Sequence, residues 1–129
     1  MQFRAFAIAA IAGFAASSAI AAEGDVKNGK TVFKKCSACH FVDKEKNRVG
    51  PHLVGIIDRK AGVVEKYKYS KALLKMAEEG LVWDEKNLHA YLEKPRDFIK
   101  GGKMAFAGLK DEQDRADVIA YLKEEAKAK

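Results

Sequence analysis

The sequence predicts an all-α domain of about four helices. Three observations predict it. Four segments carry apolar residues at helical spacing, with capping residues or dipole-ordered charges at their ends. No run alternates convincingly enough to be a strand. Two long irregular segments, marked by Gly and Pro, separate the helices, and such loops in a compact domain need a reason. Wrapping a large ligand is one.

In chain order, the first segment stands apart from the domain. "MQFRAFAIAAIAGFAASSAIAAEGD" has one basic residue, Arg4, then an Ala/Ile/Phe-rich stretch free of charge until Glu23. It ends on small residues, with Ala19 and Ala21 as an A-x-A pair. This is the pattern of a secretory signal peptide over residues 1–21, cut near Ala21 or Ala22, with the domain running over 22–129. The alternative is a membrane anchor through uncleaved residues 5–22, since the apolar run is about long enough to span a bilayer. Its alanine richness, Gly13, Ser17, Ser18 and the cleavage pattern favour removal.

"GDVKNGKTVFKK" follows, with Val26, Gly29 and Phe33 on one face and Asp25 as N-cap. "SKALLKMAEEG" is a second helix, with Ser70 as N-cap, Leu73, Met76 and Ala77 on one face, and Gly80 as the stop. "WDEKNLHAYLEKP" is a third, capped by Asp84, carrying Leu88, Tyr91 and Leu92, and ended by Pro95. "KDEQDRADVIAYLKEEAKAK" is the last. Acids lie in its first turn and lysines at its end, as the helix dipole prefers, and Val118, Tyr121 and Leu122 share a face. The irregular segments run from Phe41 to Lys68 and through "IKGGKMAFAG".

"KKCSACHFV", residues 34–42, holds both cysteines of the chain and runs straight into a histidine. Four chemistries compete for it. A disulfide between Cys36 and Cys39 is allowed in an exported protein, but so small a loop removes little unfolded-state entropy. A redox dithiol needs a strand-to-helix setting in an α/β domain, which the sequence lacks. Zinc could use Cys36, Cys39 and His52, yet Ile56, Ile57 and Asp58 stand where the fourth ligand belongs. Haem attachment explains more. Two thiols two residues apart can add to the two haem vinyl groups, and the adjacent His40 can supply an axial nitrogen. Covalent attachment also removes most of the entropy of holding the haem, and this biogenesis belongs to the exported side of the membrane.

The sixth ligand decides between electron transfer and chemistry at the iron. His52, His89, Met76 and Met104 are the candidates. His52 follows Pro51 closely and reads as a loop histidine, His89 as an ordinary helix residue, and Met76 as core filler. Met104 lies off any helical face, in a glycine-flanked loop with enough chain behind it to go around a haem. An open sixth position would instead make a peroxidase or a ligand sensor.

From about Gly24 to the end, the chain resembles class I cytochrome c, of the mitochondrial type and its bacterial relatives. The residues that carry this are G-K-x-x-F-x-K-C-x-x-C-H, G-P-x-L-x-G, R-K-A-G, Y-x-Y-S, the single tryptophan, Y-L-E-x-P, G-x-K-M-x-F-A-G and I-A-Y-L-K. The resemblance implies a small cytochrome c fold, helices wrapped around one covalent haem c, and a one-electron carrier rather than an enzyme. It implies that Cys36 and Cys39 hold the haem and that His40 and Met104 are the axial ligands. Pro51 should accept the other ring N–H of His40. Arg59, Tyr69 and Trp83 should reach buried propionates, and Tyr91 should donate toward the Met104 sulfur. Gly29 and Phe33 should meet Val118 and Tyr121 where the first and last helices cross. Two departures stand out: Gly102 replaces a threonine of the propionate network, which should loosen the Met104 loop, and Leu73 replaces an asparagine.

The formal net charge is +6. Lys34, Lys35, Arg96, Lys100 and Lys103 flank the two segments expected at the haem. By resemblance they surround its exposed edge, and a basic ring there would steer the protein onto acidic docking sites. The expected partners are membrane redox complexes: a cytochrome bc-type donor, and a terminal oxidase or reaction centre as acceptor. The expected place is the periplasm and the expected state a monomer. Nucleic acid is a poor partner for an exported chain whose acids are interspersed among its bases.

Overall fold

A computed structural model describes residues 7, 9–13 and 23–128. The expected signal segment therefore lies largely outside the described residues. No helix among the described residues is long and apolar enough to cross a membrane.

Among the described residues five helices occur: α1 (Val26–Phe33), α2 (Lys71–Glu78), α3 (Glu85–Glu93), α4 (Pro95–Phe98) and α5 (Glu112–Glu125). The caps fall where the sequence places them. Asp25 accepts from the backbone N–H groups of Lys27 and Asn28, Ser70 from Leu73, and Asp84 from Asn87. Each satisfies amide donors that a helix N-terminus leaves without partners. Gly80 follows α2 at φ +96, a left-handed turn that suits glycine.

Two features go beyond the expected four-helix, strand-free pattern. Pro95 does stop α3, but its fixed φ also starts a new turn, so α4 begins on it. A two-residue antiparallel pair, β1 (Arg59–Lys60) with β2 (Val82–Trp83), sets Arg59 opposite Trp83.

The first and last helices cross at Gly29. A Cβ there would run into the Asp117 carbonyl and come within 2.7 Å of the Tyr121 Cβ, so only a missing side chain lets the backbones approach this closely. Phe33 and Tyr121 pack with ring centroids 5.3 Å apart. Val118, Ile119 and Leu122 bury the inner face of α5, joined in one core by Val32, Phe33, Trp83, Leu88, Ile99 and Leu109. This core fixes the ends of the two irregular segments that carry the site.

Candidate haem site

Cys36 to His40 form a tight turn. The amides of Cys39 and His40 both donate to the Cys36 carbonyl, at 3.1 and 3.0 Å, so one turn gathers both sulfurs and the imidazole. The two thiols are free. Burial pushes the Cys36 thiol up to about 11, outweighing the nearby Lys35 that pulls it down. A thiol held protonated is the opposite of a redox dithiol's activated thiolate. No group of three or more His, Cys, Asp or Glu able to hold a metal ion occurs among the described residues, so the zinc arrangement finds no ligand set.

The His40 ring is fixed on two sides. Its Nδ1 lies 2.7 Å from the Pro51 carbonyl oxygen. A carbonyl can only accept, so Nδ1 carries the proton and Nε2 keeps its lone pair. Gly50 lies flat against the ring: a Cβ there would stand 2.7 Å from Nδ1 and 2.9 Å from Nε2. Burial, with the charge of Arg59, also lowers the pKa of His40 against the Pro51 bond that raises it.

Arg59 and Trp83 are paired across the short ladder. Arg59 Nη1 donates to the carbonyls of His52 and Val54 at 3.1 and 3.0 Å, while its Nε is buried without a partner. Burial of a guanidinium with a free donor is costly unless an acceptor completes it. Tyr69 accepts from the Val64 amide at 3.1 Å, which leaves its own proton to give. Trp83 continues the site toward the methionine loop. Its ring centroid is 4.8 Å from that of Tyr91, and the Tyr91 hydroxyl donates to the Met104 sulfur at 3.6 Å. Burial raises Tyr91 to about 12, so the donor keeps its proton across the ordinary pH range.

The other expected candidates fall elsewhere. Met76 is partly buried against the core. His52 accepts from Val54 N within its own loop. Leu73 is partly buried against the core as well. Lys34, Lys35, Arg96, Lys100 and Lys103 are all exposed. Lys103 is not loose: its ammonium donates to the Lys68 carbonyl and sits over the Tyr67 ring. Three residues went unassigned from sequence. Phe98 closes the aromatic group, 5.9 Å from Tyr91 and 6.4 Å from Trp83. Tyr67 packs edge-on against Tyr69. Arg48 braces the attachment turn from outside. The Y-x-Y-S motif pointed at Tyr67; nothing local marked the other two.

The family model described as Cytochrome c matches residues 26–125. The chain belongs to the cytochrome c family. It is 46% identical over 108 residues to a cytochrome c of Gibberella zeae, covering 82% of this chain and 99% of that one. It is 48% identical over 101 residues to a cytochrome c2 of Agrobacterium tumefaciens, covering 78% and 91%. Among solved structures, cytochrome c2 from Rhodospirillum centenum superposes with a TM-score of 0.75 at 43% identity, covering 79% of this chain and 98% of that one. Membership makes the chain an electron carrier with one covalent haem c, and not an enzyme. The free Cys36 and Cys39, the oriented His40 and the unpartnered Arg59 Nε all fit that group.

Proposed function

We propose that this cytochrome c is a periplasmic one-electron carrier between membrane complexes, with Cys36 and Cys39 as the thioether anchors and His40 and Met104 as the axial ligands. The observation that carries the ligand assignment is the His40–Pro51 bond, because it leaves Nε2 as a free donor beside two free thiols. When bound, haem c supplies a one-electron iron couple.

The chain's own residues set how that couple behaves. The soft Met104 sulfur favours ferrous iron and raises the potential. Tyr91 donates to that sulfur and holds the ligand loop. Arg59 Nε and the Tyr69 hydroxyl are the donors available to buried propionates, with Trp83 beside them. Were His40 and Met104 both to ligate the iron, no bond there would need to form or break on electron transfer. Lys34, Lys35, Arg96, Lys100 and Lys103 steer the exposed edge onto acidic surfaces of a bc-type donor and of an oxidase or reaction-centre acceptor.

Export by a cleaved signal peptide is compatible with the contacts that Glu23 and Gly24 make with α5. The Glu23 carbonyl accepts from Gln113, and Gly24 packs so closely on α5 that a Cβ would come within 2.6 Å of the Ala120 Cβ. Cleavage near Ala21 or Ala22 leaves these contacts intact.

The test is the far-red sulfur-to-iron band of the oxidised protein. It should be present at neutral pH and vanish in Met104→Ala, with a lower potential. A band that survives the substitution, or none in the unsubstituted protein, would refute Met104 as ligand.

A further inference from the structure

We infer that Arg48 is a positioning residue for His40. Among the described residues, its side chain is the one that fastens the Gly50–Pro51 segment to the haem-attachment turn from the solvent side. The inference rests on His40 being an axial ligand.

The two segments are joined by a series of bonds. The Gly50 amide donates to the Cys39 carbonyl at 2.8 Å, and the Leu53 amide to the Phe41 carbonyl at 2.8 Å. Between them His40 Nδ1–H meets the Pro51 carbonyl. All three of these bonds accept at a backbone carbonyl, and two of them also donate from backbone. Arg48 adds the side-chain tie. Its Nη1 donates to the Ser37 carbonyl at 2.9 Å, inside the C-x-x-C turn. Its guanidinium lies over the Phe41 ring, 4.8 Å from the centroid, on the residue that follows His40. Its own amide donates to the Gly50 carbonyl at 3.0 Å. Arg48 thus grips the attachment turn on both sides of His40, at Ser37 and at Phe41, and holds the strip that orients the ring.

Geometry explains why the grip matters. Gly50 lies against the ring with no room for a Cβ, so a small outward drift of this strip opens both the ring contact and the Pro51 bond. Tyr67 Oη donates to the Val49 carbonyl at 3.3 Å and Asn47 Nδ2 to the Glu65 carbonyl at 3.1 Å, so the strip is also held from its other side; losing the Arg48 clasp raises opening at the attachment turn without unfolding the body. A weaker Nδ1–H bond makes the imidazole a poorer donor to iron, which destabilises the ferric form and raises the potential. Mere loosening that admits water to the haem would act in the opposite direction. The sign of the change therefore separates a positioning role from a purely structural one.

Lys44 supplies the internal control. Its ammonium also sits over Phe41, at 4.7 Å from the centroid. Arg48 and Lys44 are both exposed, so their variants should fold. The experiment uses the haem-loaded protein and compares Arg48→Ala, Arg48→Lys and Lys44→Ala. Arg48→Ala should speed exchange of the Gly50 amide by about tenfold. The Ala61 amide, bonded to the Leu81 carbonyl on the far ladder, should stay unchanged. It should also raise the potential and move the iron-shifted His40 ring signals. Arg48→Lys should recover part of both effects, and Lys44→Ala should produce neither. Equal acceleration at Gly50 and Ala61, a lowered potential, or an Arg48→Ala protein matching Lys44→Ala would each overturn the role. If the unsubstituted protein shows no iron-shifted His40 signals, the ligand reading itself fails, and with it any role acting through His40.

Discussion

One buried and one half-buried residue, Asp117 and Tyr91, show how much one side chain decides. Asp117 is almost wholly buried on α5, and its carboxylate accepts from the Asp25 amide at 2.7 Å, Asn28 Nδ2 at 2.6 Å and Gln113 Nε2 at 2.8 Å. Burial pushes its pKa up, but the three donors together prevail and hold it below the ordinary 3.8. A depressed carboxylate stabilises the fold above its unfolded pKa and loses that contribution as pH falls through the folded value. Asp117→Asn should therefore cost about 1–3 kcal/mol at neutral pH, because the new amide turns a donor toward donors. In urea titrations the gap between the two proteins should close as the pH drops below the ordinary carboxylate range. A gap that is constant with pH would show that the charge is not what holds α1 to α5. Tyr91 acts on the site in a similar way. Tyr91→Phe removes the donor to the Met104 sulfur and makes it a stronger donor to iron. The potential should fall by roughly 20–40 mV, the worth of a weak hydrogen bond, measured by redox titration. No change would mean that this bond does not tune the iron.

At the scale of elements, glycine contacts set which segments can touch. Gly29→Ala should gain a little helix propensity yet destabilise the protein by about 3 kcal/mol, since its Cβ meets α5 backbone that cannot move aside. Thermal unfolding would register this as a clear drop in Tm; an unchanged Tm would mean that the helices can slide apart freely. At Gly102 the crowding is milder. A Cβ would press on the Ile99 carbonyl at 3.1 Å, and the Gly102 amide already donates to that carbonyl at 3.0 Å. This main-chain turn bond ties the segment that leads into the methionine loop. The helices were legible in the sequence because caps and apolar spacing are local signals, and Asp25, Ser70 and Asp84 all cap as expected. The candidate site residues were proposed from the motif and the family resemblance. The ladder between Arg59 and Trp83 was not, because two residues leave no alternation to detect. Nor was α4, whose four residues span one turn behind a proline that also ends α3. Asp117 meeting Asn28 from the far end of the chain has no local signature at all.

Across the whole molecule, excess positive charge and a buried redox site imply that encounter with the partner is guided by field rather than by a large interface. The full chain carries a formal net charge of +6, of which the proposed cleavage removes the one charge of Arg4, and the five basic residues around the attachment turn and the methionine loop are exposed. Lys103 is fixed against Lys68 and Tyr67 and presents its charge at a set place. Exposed charges act over about a Debye length, roughly 30 Å at 0.01 M salt and 8 Å at 0.15 M. Steering at low salt therefore reaches well beyond contact, and at higher salt it does not. Reduced protein mixed with membranes of its own source, in the dark with oxygen, should lose its reduced haem bands quickly. Adding salt over that range should slow this oxidation about tenfold or more, as expected for charge-guided association. Cyanide sensitivity would identify a terminal oxidase as the acceptor. An absence of dark oxidation that illumination restores would identify a reaction centre instead. A rate flat in salt, with either acceptor, would mean that the basic surface is solvated charge with no part in docking.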